Sequence, residues 1–473
     1  MGYERTSVVL FLSRVSTAAL GFLGTIYYAR TLGPAIIGVF FLVQSLVGVL
    51  SVPADLGVQG AAEKRISEGG DNSELFTSAL LIMAVSFGVI SVLVLLMSKT
   101  ITEYLGSPLI WELLLLLFAT VLSQLVLSLL RGELKIEISA ILEGVRAIVT
   151  IVMSVALILY GLEVKALIFG GVVGSASILP LAWIWIDSNL STPSLKHLES
   201  IYSFSKYNML VRSSGLVYGW IDVLVIGFFL SEMYVGVYEI AWRVSAVSIL
   251  ASGAIAQVVF PNFSRLFAEG DKKTVEDTVP SAITYSLLIP IAIFFGSLPL
   301  STDLLSLVYG PAFGMGGVVL ILLMAERTVH SFHNIIFNIL MAGDKPATAF
   351  KISAISIIAN VSLNIILIPL IGIVGAAIAM LSSYILNASL YYLSVPRLLD
   401  LEIRVPVKNI FWMVASGALM AVIVWLLKST IAVQSLVSLG VLIGVGGVVY
   451  FVLLITNPDF RSMMKEIFSS IIN

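Results

Sequence analysis

Long apolar runs separated by short polar breaks extend along nearly the whole chain. A helix needs about 20 apolar residues to cross the hydrocarbon layer of a bilayer, and the breaks predict about 14 segments of that length. The predicted spans are 7–30, 34–60, 75–97, 108–130, 138–160, 164–186, 205–230, 234–260, 280–299, 317–341, 347–369, 372–394, 408–427 and 435–456. Very tight turns, such as 32–34 and 370–372, join some neighbours. The pattern predicts an all-α, polytopic membrane protein without an extramembrane domain.

The composition agrees with this class. Of the 473 residues, 59% are hydrophobic and 11% are charged, against roughly 25% charged in an ordinary soluble protein. Cysteine is absent, which excludes disulfides, thiol catalysis and cysteine-ligated metals. The sequence has no G-x-x-x-x-G-K-[ST] loop, so transport driven by ATP would need a separate ATPase. A membrane glycosyltransferase would be expected to show an acidic metal motif or a long outer loop, and neither is visible. We therefore predict a non-enzyme without cofactor.

The basic residues predict how the chain is inserted. With the N-terminus inside, 17 of the 26 lysines and arginines fall in inner segments and four in outer segments. Cytoplasmic loops carry the excess of basic residues, so we expect a protein of the cell (plasma) membrane with both termini in the cytoplasm. The tail from Asn457 places Phe460, Met464 and Ile467 on one helical face and is expected to lie along the membrane surface.

An internal repeat relates the two halves of the chain. An offset of 198 brings Arg14, Gly21 and Gly38 onto Arg212, Gly219 and Gly236. The simplest interpretation is a duplicated unit of six helices, at 7–186 and 205–394, followed by two extra helices. The predicted domains are therefore 1–190, 191–400 and 401–473. Two lobes that insert in the same direction are related by a pseudo-twofold axis along the membrane normal, and substrate is expected in a central cavity.

Five arginines fall inside predicted spans: Arg14, Arg146, Arg212, Arg243 and Arg327. Each costs about 2.5–3.5 kcal/mol at the bilayer centre on insertion scales, so these side chains must face protein or water. In the seventh span helical spacing aligns Asn208 and Arg212 with two glycines, and the first span repeats this arrangement around Arg14. A cation beside small residues suits a cavity for a bulky anion. The alternative is that the arginines snorkel to the interface while the glycines pack helices.

The tenth predicted span is the most polar one. Arg327, His330, Asn334 and Asn338 recur on it at steps of three and four residues, with Glu326 and His333 nearby. Two interpretations remain open, a hydrated cavity wall and a buried hydrogen-bond network between helices. Two histidines do not make a metal site, because no carboxylate or cysteine completes a ligand set at suitable spacing.

Two carboxylates are candidates for ion coupling. Glu239 and Arg243 are four residues apart in the eighth span, in the favourable order for a helical ion pair. The pair either neutralises itself near the interface or switches, with Arg243 holding substrate in one state and Glu239 in the other, or Glu239 carrying a proton. Asp222, in the middle of the seventh span, is the second candidate.

Several segments resemble a known family, the polysaccharide flippases of the multidrug/oligosaccharidyl-lipid/polysaccharide exporter superfamily. They are FLSRVSTAALGFLGTIYYARTLGPAIIGVF at 11–40, DLGVQGAAEKRISEGGD at 55–71, VGVYEIAWRVS at 235–245, FPNFSRLFAEGD at 260–271 and LVYGPAF at 307–313. The resemblance implies two six-helix bundles that form a V-shaped transporter for a polyprenyl-linked sugar. Related peptidoglycan-precursor flippases use cavity arginines for the substrate's pyrophosphate, a role that the resemblance carries to Arg14 and Arg243. The repeat adds Arg212.

These observations predict a flippase that moves a polyprenyl-(pyro)phosphate-linked oligosaccharide from the cytoplasmic to the outer leaflet by alternating access. Guanidinium groups suit phosphate oxygens, and a sugar chain needs a wet polar cavity. The expected substrate-binding residues are Arg14, Arg212, Arg243, Arg327, Asn208, His330 and Asn334. Expected partners are the lipid-linked oligosaccharide, membrane lipids, a coupling proton or sodium ion and glycan-assembly proteins, without nucleic acid. The alternative is a cation-coupled multidrug exporter, which would need cavity carboxylates for cationic drugs.

Overall fold

The computed structural model describes residues 2–69, 72–458 and 460–461, and for 2–16, 206–218, 251, 254, 257 and 258 it describes the backbone alone. Within these residues the regular structure is entirely helical, as the hydrophobic pattern predicts. The helices are α1 Gly2–Asp55, α2 Val58–Ser67, α3 Asn72–Leu96, α4 Ser98–Leu105, α5 Ile110–Gly132, α6 Ile136–Leu159, α7 Glu163–Trp183, α8 Leu195–Phe229, α9 Glu232–Ala246, α10 Leu250–Glu269, α11 Lys272–Tyr309, α12 Gly317–Ala342, α13 Pro346–Ile371, α14 Ile373–Leu399, α15 Val407–Thr430 and α16 Leu436–Ile455.

Eleven helices in the described part of the chain are long and apolar enough to cross a membrane, so this is a multi-pass membrane protein. The first of them, Thr17–Asp55, has 39 residues and is interrupted at Gly33, where φ is 77° and ψ is 172°. It therefore contains most of the second predicted span, 34–60, and part of the first. The seventh and eighth predicted spans include residues whose side chains are outside the description. The total of 14 spans consequently stays a prediction.

The tight turns expected at 32–34 and 370–372 are present. Gly33 has a φ of 77° and Gly372 a φ of 65°, a region that residues with a Cβ rarely adopt. α13 ends at Ile371 and α14 begins at Ile373, so a single glycine joins two long helices. Such short connections leave no room for a domain outside the membrane at these points.

The chain forms two compact units, Met1–Gly236 and Val237–Asn473. Helix α8 packs on α1, α2 and α3, and the Tyr104 hydroxyl donates a hydrogen bond to the Leu224 carbonyl at 2.9 Å. α8 therefore belongs to the first unit. The division into 1–190, 191–400 and 401–473, which was inferred from the repeat, stays a prediction.

Small residues set the helix packing of the first unit. A Cβ added at Gly170 or Gly174 of α7 would overlap the hydroxyls of Ser154 and Thr150 on α6. Since lipid is as apolar as leucine, helices in membranes associate through close packing of this kind. The two helices consequently lie in direct contact along their length.

Two glycines of the repeat meet in a reciprocal contact inside the first unit. A Cβ at Gly38 would overlap the Glu232 carbonyl, and a Cβ at Gly236 would overlap the Pro34 carbonyl. The repeat offset relates Gly38 to Gly236 and position 34 to position 232. Gly38 therefore contacts position 232, and its repeat equivalent Gly236 contacts position 34, the equivalent of 232. This is the self-complementary contact expected of a local twofold relation.

The second unit has a continuous apolar core with contributions from α10 through α16. The last two helices are each held to α11 by a polar contact. The Lys428 ammonium of α15 donates to the Pro299 carbonyl at 2.9 Å, and the Tyr450 hydroxyl of α16 donates to the Leu288 carbonyl at 3.0 Å. Lys428 also pairs with Asp303 at 2.5 Å. The two helices that follow the repeat are thus integral to this unit.

Candidate functional site

Three of the predicted substrate-binding residues, Arg14, Asn208 and Arg212, have side chains outside the described part of the chain. Their backbones lie in α1 and α8, as expected from the hydrophobic pattern. Their role in binding an anion therefore stays a hypothesis.

Glu239 and Arg243 form the ion pair that their spacing predicts. The Arg243 Nε donates a hydrogen bond to Glu239 Oε1 at 3.0 Å, one turn apart on α9. The Glu239 side chain is 5% exposed, whereas that of Arg243 is 34% exposed. The guanidinium therefore keeps an accessible surface while it neutralises a buried carboxylate, which leaves it able to contact an anion from the accessible side.

Asp222, the second candidate for ion coupling, is buried within α8 and is 6% exposed. It has interaction partners in the structure. Its place in the first unit separates it along the chain from Glu239, which belongs to the second unit.

A second ion pair, with both members buried, lies on α12, where Arg327 is 3% exposed and Glu326 is fully buried. The Arg327 Nε is 3.3 Å from Glu326 Oε2 and donates a hydrogen bond to the Ser245 hydroxyl at 3.1 Å. The guanidinium carbon is 5.0 Å from the centre of the Trp242 ring, a cation–π contact. These contacts fit the buried network that was one of the two interpretations of the tenth span. They tie α12 to α9, the helix that carries Arg243.

The two histidines of α12 stack among aromatic rings of α14. The His330 ring lies 4.8 Å from that of Tyr384, and the His333 ring lies 5.0 Å from that of Tyr391. His330 Nδ1 is 3.5 Å from Glu326 Oε1, and its side chain is 24% exposed. His330 thus connects the fully buried carboxylate to a more accessible position.

Asn334 and Asn338 continue the polar stripe of α12 as half-buried residues. The Asn338 amide donates to the Asn334 carbonyl at 2.8 Å, a bond within the helix. No described hydrogen bond joins the Asn334 side chain to Arg327 or His330. The structure therefore brings Arg327 and His330 together around Glu326.

Sequence reasoning missed a ladder of amides on α13 and α14. Asn364 Nδ2 donates to Asn360 Oδ1 at 3.1 Å, and Asn360 Nδ2 donates to Ser383 at 3.4 Å. All three are buried. Two asparagines four residues apart in an apolar span are the signal that could have revealed the ladder, by the spacing rule applied to the tenth span.

The connection from α7 to α8 is fastened to the first unit by polar contacts that the sequence did not reveal. The Glu133 carboxylate accepts hydrogen bonds from the Ser188 hydroxyl at 2.6 Å and from the Asp187 amide at 3.2 Å. It also pairs with Lys135 at 2.9 Å, and Lys135 pairs with Asp187 at 2.6 Å. Burial lowers the pKa of Lys135, but its hydrogen bonds to Asp187 and Glu133 outweigh this and raise the pKa overall. The cluster therefore fastens the first residues after α7 to the first unit.

Comparison with known proteins decides the family. The family model described as "Polysaccharide biosynthesis protein" matches residues 5–267, more than half of the chain. The chain belongs to this polysaccharide biosynthesis protein family. The match includes both sets of residues that the repeat relates, from Arg14 to Gly38 and from Arg212 to Gly236, and the Glu239–Arg243 pair.

Two relatives from Haloferax volcanii match this family member along nearly their whole length. One, described as a probable low-salt glycan biosynthesis flippase, Agl15, is 36% identical over 454 residues, covering 95% of each chain. The other, described as a probable flippase, AglR, is 30% identical over 474 residues, covering 98% of each chain.

Solved structures of low sequence identity show the same fold. The lipid II flippase MurJ in its inward closed conformation matches 97% of this chain and 100% of its own, with a TM-score of 0.80 at 16% identity. An inward-facing multidrug resistance transporter of the MATE family matches 81% of this chain with a TM-score of 0.67 at 15% identity. The fold of the chain is therefore that of the MurJ and MATE transporters.

Proposed function

We propose that the chain is a flippase that moves a polyprenyl-(pyro)phosphate-linked oligosaccharide from the cytoplasmic to the outer leaflet of the cell membrane by alternating access. The observation that carries this proposal is the 36% identity to a probable glycan biosynthesis flippase over 95% of both chains. The MurJ fold match over 97% of the chain supports it.

The charges inside the membrane suit such a substrate. Arg243 is 34% exposed beside its buried partner Glu239, so it offers guanidinium donors to a phosphate group. We assign the same anion-binding role to Arg14 and Arg212, which the repeat relates to each other. Arg327 and His330 are assigned to the same function, together with Asn208 and Asn334. With the cell interior negative, outward movement of an anion gains about 2.3 kcal/mol per charge per 100 mV.

Orientation and partners follow from the same function. A glycan assembled on the cytoplasmic side requires a protein in the cell membrane, and the excess of basic residues in the inner segments supports both termini in the cytoplasm. Membrane lipids surround the apolar helices, and enzymes of glycan assembly must supply the substrate and consume the product. The buried carboxylates, Asp222 and Glu239 among them, are the candidate sites for a coupling ion.

A multidrug exporter is the second candidate because MATE transporters share the fold. Two observations favour the flippase. The MATE match covers 81% of the chain against 97% for MurJ. Arg243 and Arg327 fall in the eighth and tenth spans predicted from the sequence, and guanidinium groups there would repel cationic drugs.

The function can be tested with the purified protein in lipid vesicles. The probes are a polyprenyl monophosphate and a polyprenyl diphosphate, each linked to a disaccharide with a fluorescent label on the sugar, and an impermeant quencher reports the fraction in the outer leaflet. We expect at least one probe to become fully quenched with protein and only half quenched in protein-free vesicles. If both probes stay half quenched with protein while a fluorescent lipophilic cation is moved, the drug exporter is favoured instead.

A further inference from the structure

Glu326 is a fully buried carboxylate whose hydrogen bonding is incomplete. It lies nine residues into α12, about 14 Å from the start of the helix at a rise of 1.5 Å per residue. Its side chain has no exposed surface, and neither carboxylate oxygen accepts a hydrogen bond from any described residue. Buried carboxylates normally accept several, because an unsatisfied buried charge is costly. A further group is therefore expected to donate a hydrogen bond or a proton to one of these oxygens during the working cycle.

Arg327 satisfies Glu326 only in part. Its Nε is 3.3 Å from Glu326 Oε2 but directs its hydrogen bond to the Ser245 hydroxyl. Its guanidinium stacks on Trp242, and its Nη2 meets no acceptor among the described residues. Since its donors are directed by these other contacts, Glu326 Oε1 is left to its remaining neighbour.

That neighbour is His330. Its Nδ1 is 3.5 Å from Glu326 Oε1 and makes no hydrogen bond with a described residue. A movement of about 0.5 Å would bring the two atoms to hydrogen-bond distance. A proton that enters on His330 Nδ1 can then pass to Glu326 Oε1, and the protonated Oε1 donates a hydrogen bond back to the neutral Nδ1. Because the His330 side chain is 24% exposed, it can exchange that proton with the outside of the unit.

The surroundings favour a proton over a metal ion. No group of three His, Cys, Asp or Glu residues suited to a metal occurs among the described residues, and the Arg327 guanidinium beside Glu326 would repel a bound cation. The other titratable groups around the pair are His333 on α12 and Tyr384 and Tyr391 on α14. In the described contacts, α10, α11 and α13 bring no charged side chain to Glu326.

We propose, on the basis of the flippase function above, that Glu326 and His330 form a proton-exchange site that couples proton movement to flipping. The proton passes between Glu326 Oε1 and His330 Nδ1, so one O–H bond forms as one N–H bond breaks. The protonated state neutralises the Glu326 carboxylate and leaves the charge of Arg327 uncompensated. The two states therefore differ in the positive charge that α12 presents.

The site can be tested without substrate, by infrared difference spectra of the purified protein recorded between acidic and alkaline pH. A buried carboxylic acid absorbs at higher frequency than acids that bond to water. We expect such a band in the wild-type protein and in Glu402→Gln, whose side chain is 79% exposed in the native protein, and its loss in Glu326→Gln. A band that persists in Glu326→Gln, or that the wild type lacks, would overturn the site.

His330→Gln tests the second member of the pair and serves also if Glu326→Gln does not fold. A hydrogen bond to a charged group is worth enough to move the midpoint of the band by about one pH unit. An unmoved midpoint would show that His330 does not share the proton. The two hypotheses are tested separately. If the vesicle assay shows no flipping, the flippase function is wrong, but the spectra still report whether Glu326 takes up a proton.

Discussion

Gly38 and Gly236 lie against each other's helices with no space for a methyl group on either side. Because the obstructing atoms are backbone carbonyl oxygens of Glu232 and Pro34, a rotamer change cannot relieve an added Cβ. The contact therefore requires glycine at both positions of the repeat, and its two halves should respond alike to substitution.

We expect Gly38→Ala and Gly236→Ala each to destabilise the protein. Overpacking a close contact costs about 1–3 kcal/mol, and here the backbone itself must separate. The measurement is the midpoint of thermal unfolding of the detergent-solubilised protein, which should fall in both variants. Gly440→Ala is the matched control, because a Cβ at Gly440 of α16 meets no atom within 4 Å. A midpoint unchanged in both variants would contradict the contact.

The sequence predicts those parts of the molecule that depend on local spacing. Four-residue spacing predicts the Glu239–Arg243 pair, and glycines at 33 and 372 mark turns that require a left-handed backbone. The hydrophobic period predicts the helices, since burial in lipid acts on each span separately.

Contacts between distant segments cannot be predicted from local spacing. The bonds between Glu133 and Ser188 join residues 55 apart, and nothing in either local pattern indicates them. Glu326 illustrates the same limit: the sequence places it near the polar stripe of α12, but its complete burial depends on how other helices cover that face.

The Glu239–Arg243 pair allows two roles to be separated. Arg243→Ala is expected to reduce the flipping rate at least about tenfold, because a charged hydrogen bond contributes roughly 1.5–3 kcal/mol and each 1.4 kcal/mol is a factor of ten. Part of the loss would come from leaving Glu239, which is 5% exposed, without its partner. The measurement is the quenching rate of the labelled lipid-linked disaccharide in vesicles.

The double variant Glu239→Gln/Arg243→Gln decides between those causes. If the arginine only neutralises Glu239, two neutral amides restore the flipping rate. If Arg243 binds the substrate phosphate, as we propose, the double variant stays as slow as Arg243→Ala. Arg404→Ala is the control for a lost arginine, since the Arg404 side chain is 73% exposed. This variant should flip the labelled lipid at the wild-type rate.

The connection between α7 and α8 should loosen when Glu133 is removed. Its side chain is 3% exposed and accepts hydrogen bonds from both Asp187 and Ser188. We expect Glu133→Ala to increase amide hydrogen exchange of residues 185–194 roughly tenfold, since each lost hydrogen bond to a charged group contributes about 1.5–3 kcal/mol. Exchange should be followed by mass spectrometry. Glu269→Ala, at an exposed position of α10, should leave the exchange of residues 185–194 unchanged. Equal exchange in both variants would contradict the role of Glu133 in holding this connection.

Three buried carboxylates, Asp222, Glu239 and Glu326, can be compared for proton coupling. Glu239 receives a hydrogen bond from Arg243 at 3.0 Å, and Asp222 has interaction partners of its own. Glu326 accepts no hydrogen bond from a described residue and has an exchangeable neighbour in His330. With a pH gradient imposed across the vesicles, we expect Glu326→Gln to lose the effect of the gradient on the flipping rate.

Asp222→Asn and Glu239→Gln should retain that effect, even where their basal rates fall. The relevant quantity is the ratio of the rates with and without the gradient in each variant, because it is independent of how much active protein each preparation contains. A ratio of one in Asp222→Asn, together with a wild-type ratio in Glu326→Gln, would move the coupling site to α8. The ratio thus tests where a proton acts, separately from whether the lipid-linked sugar is flipped at all.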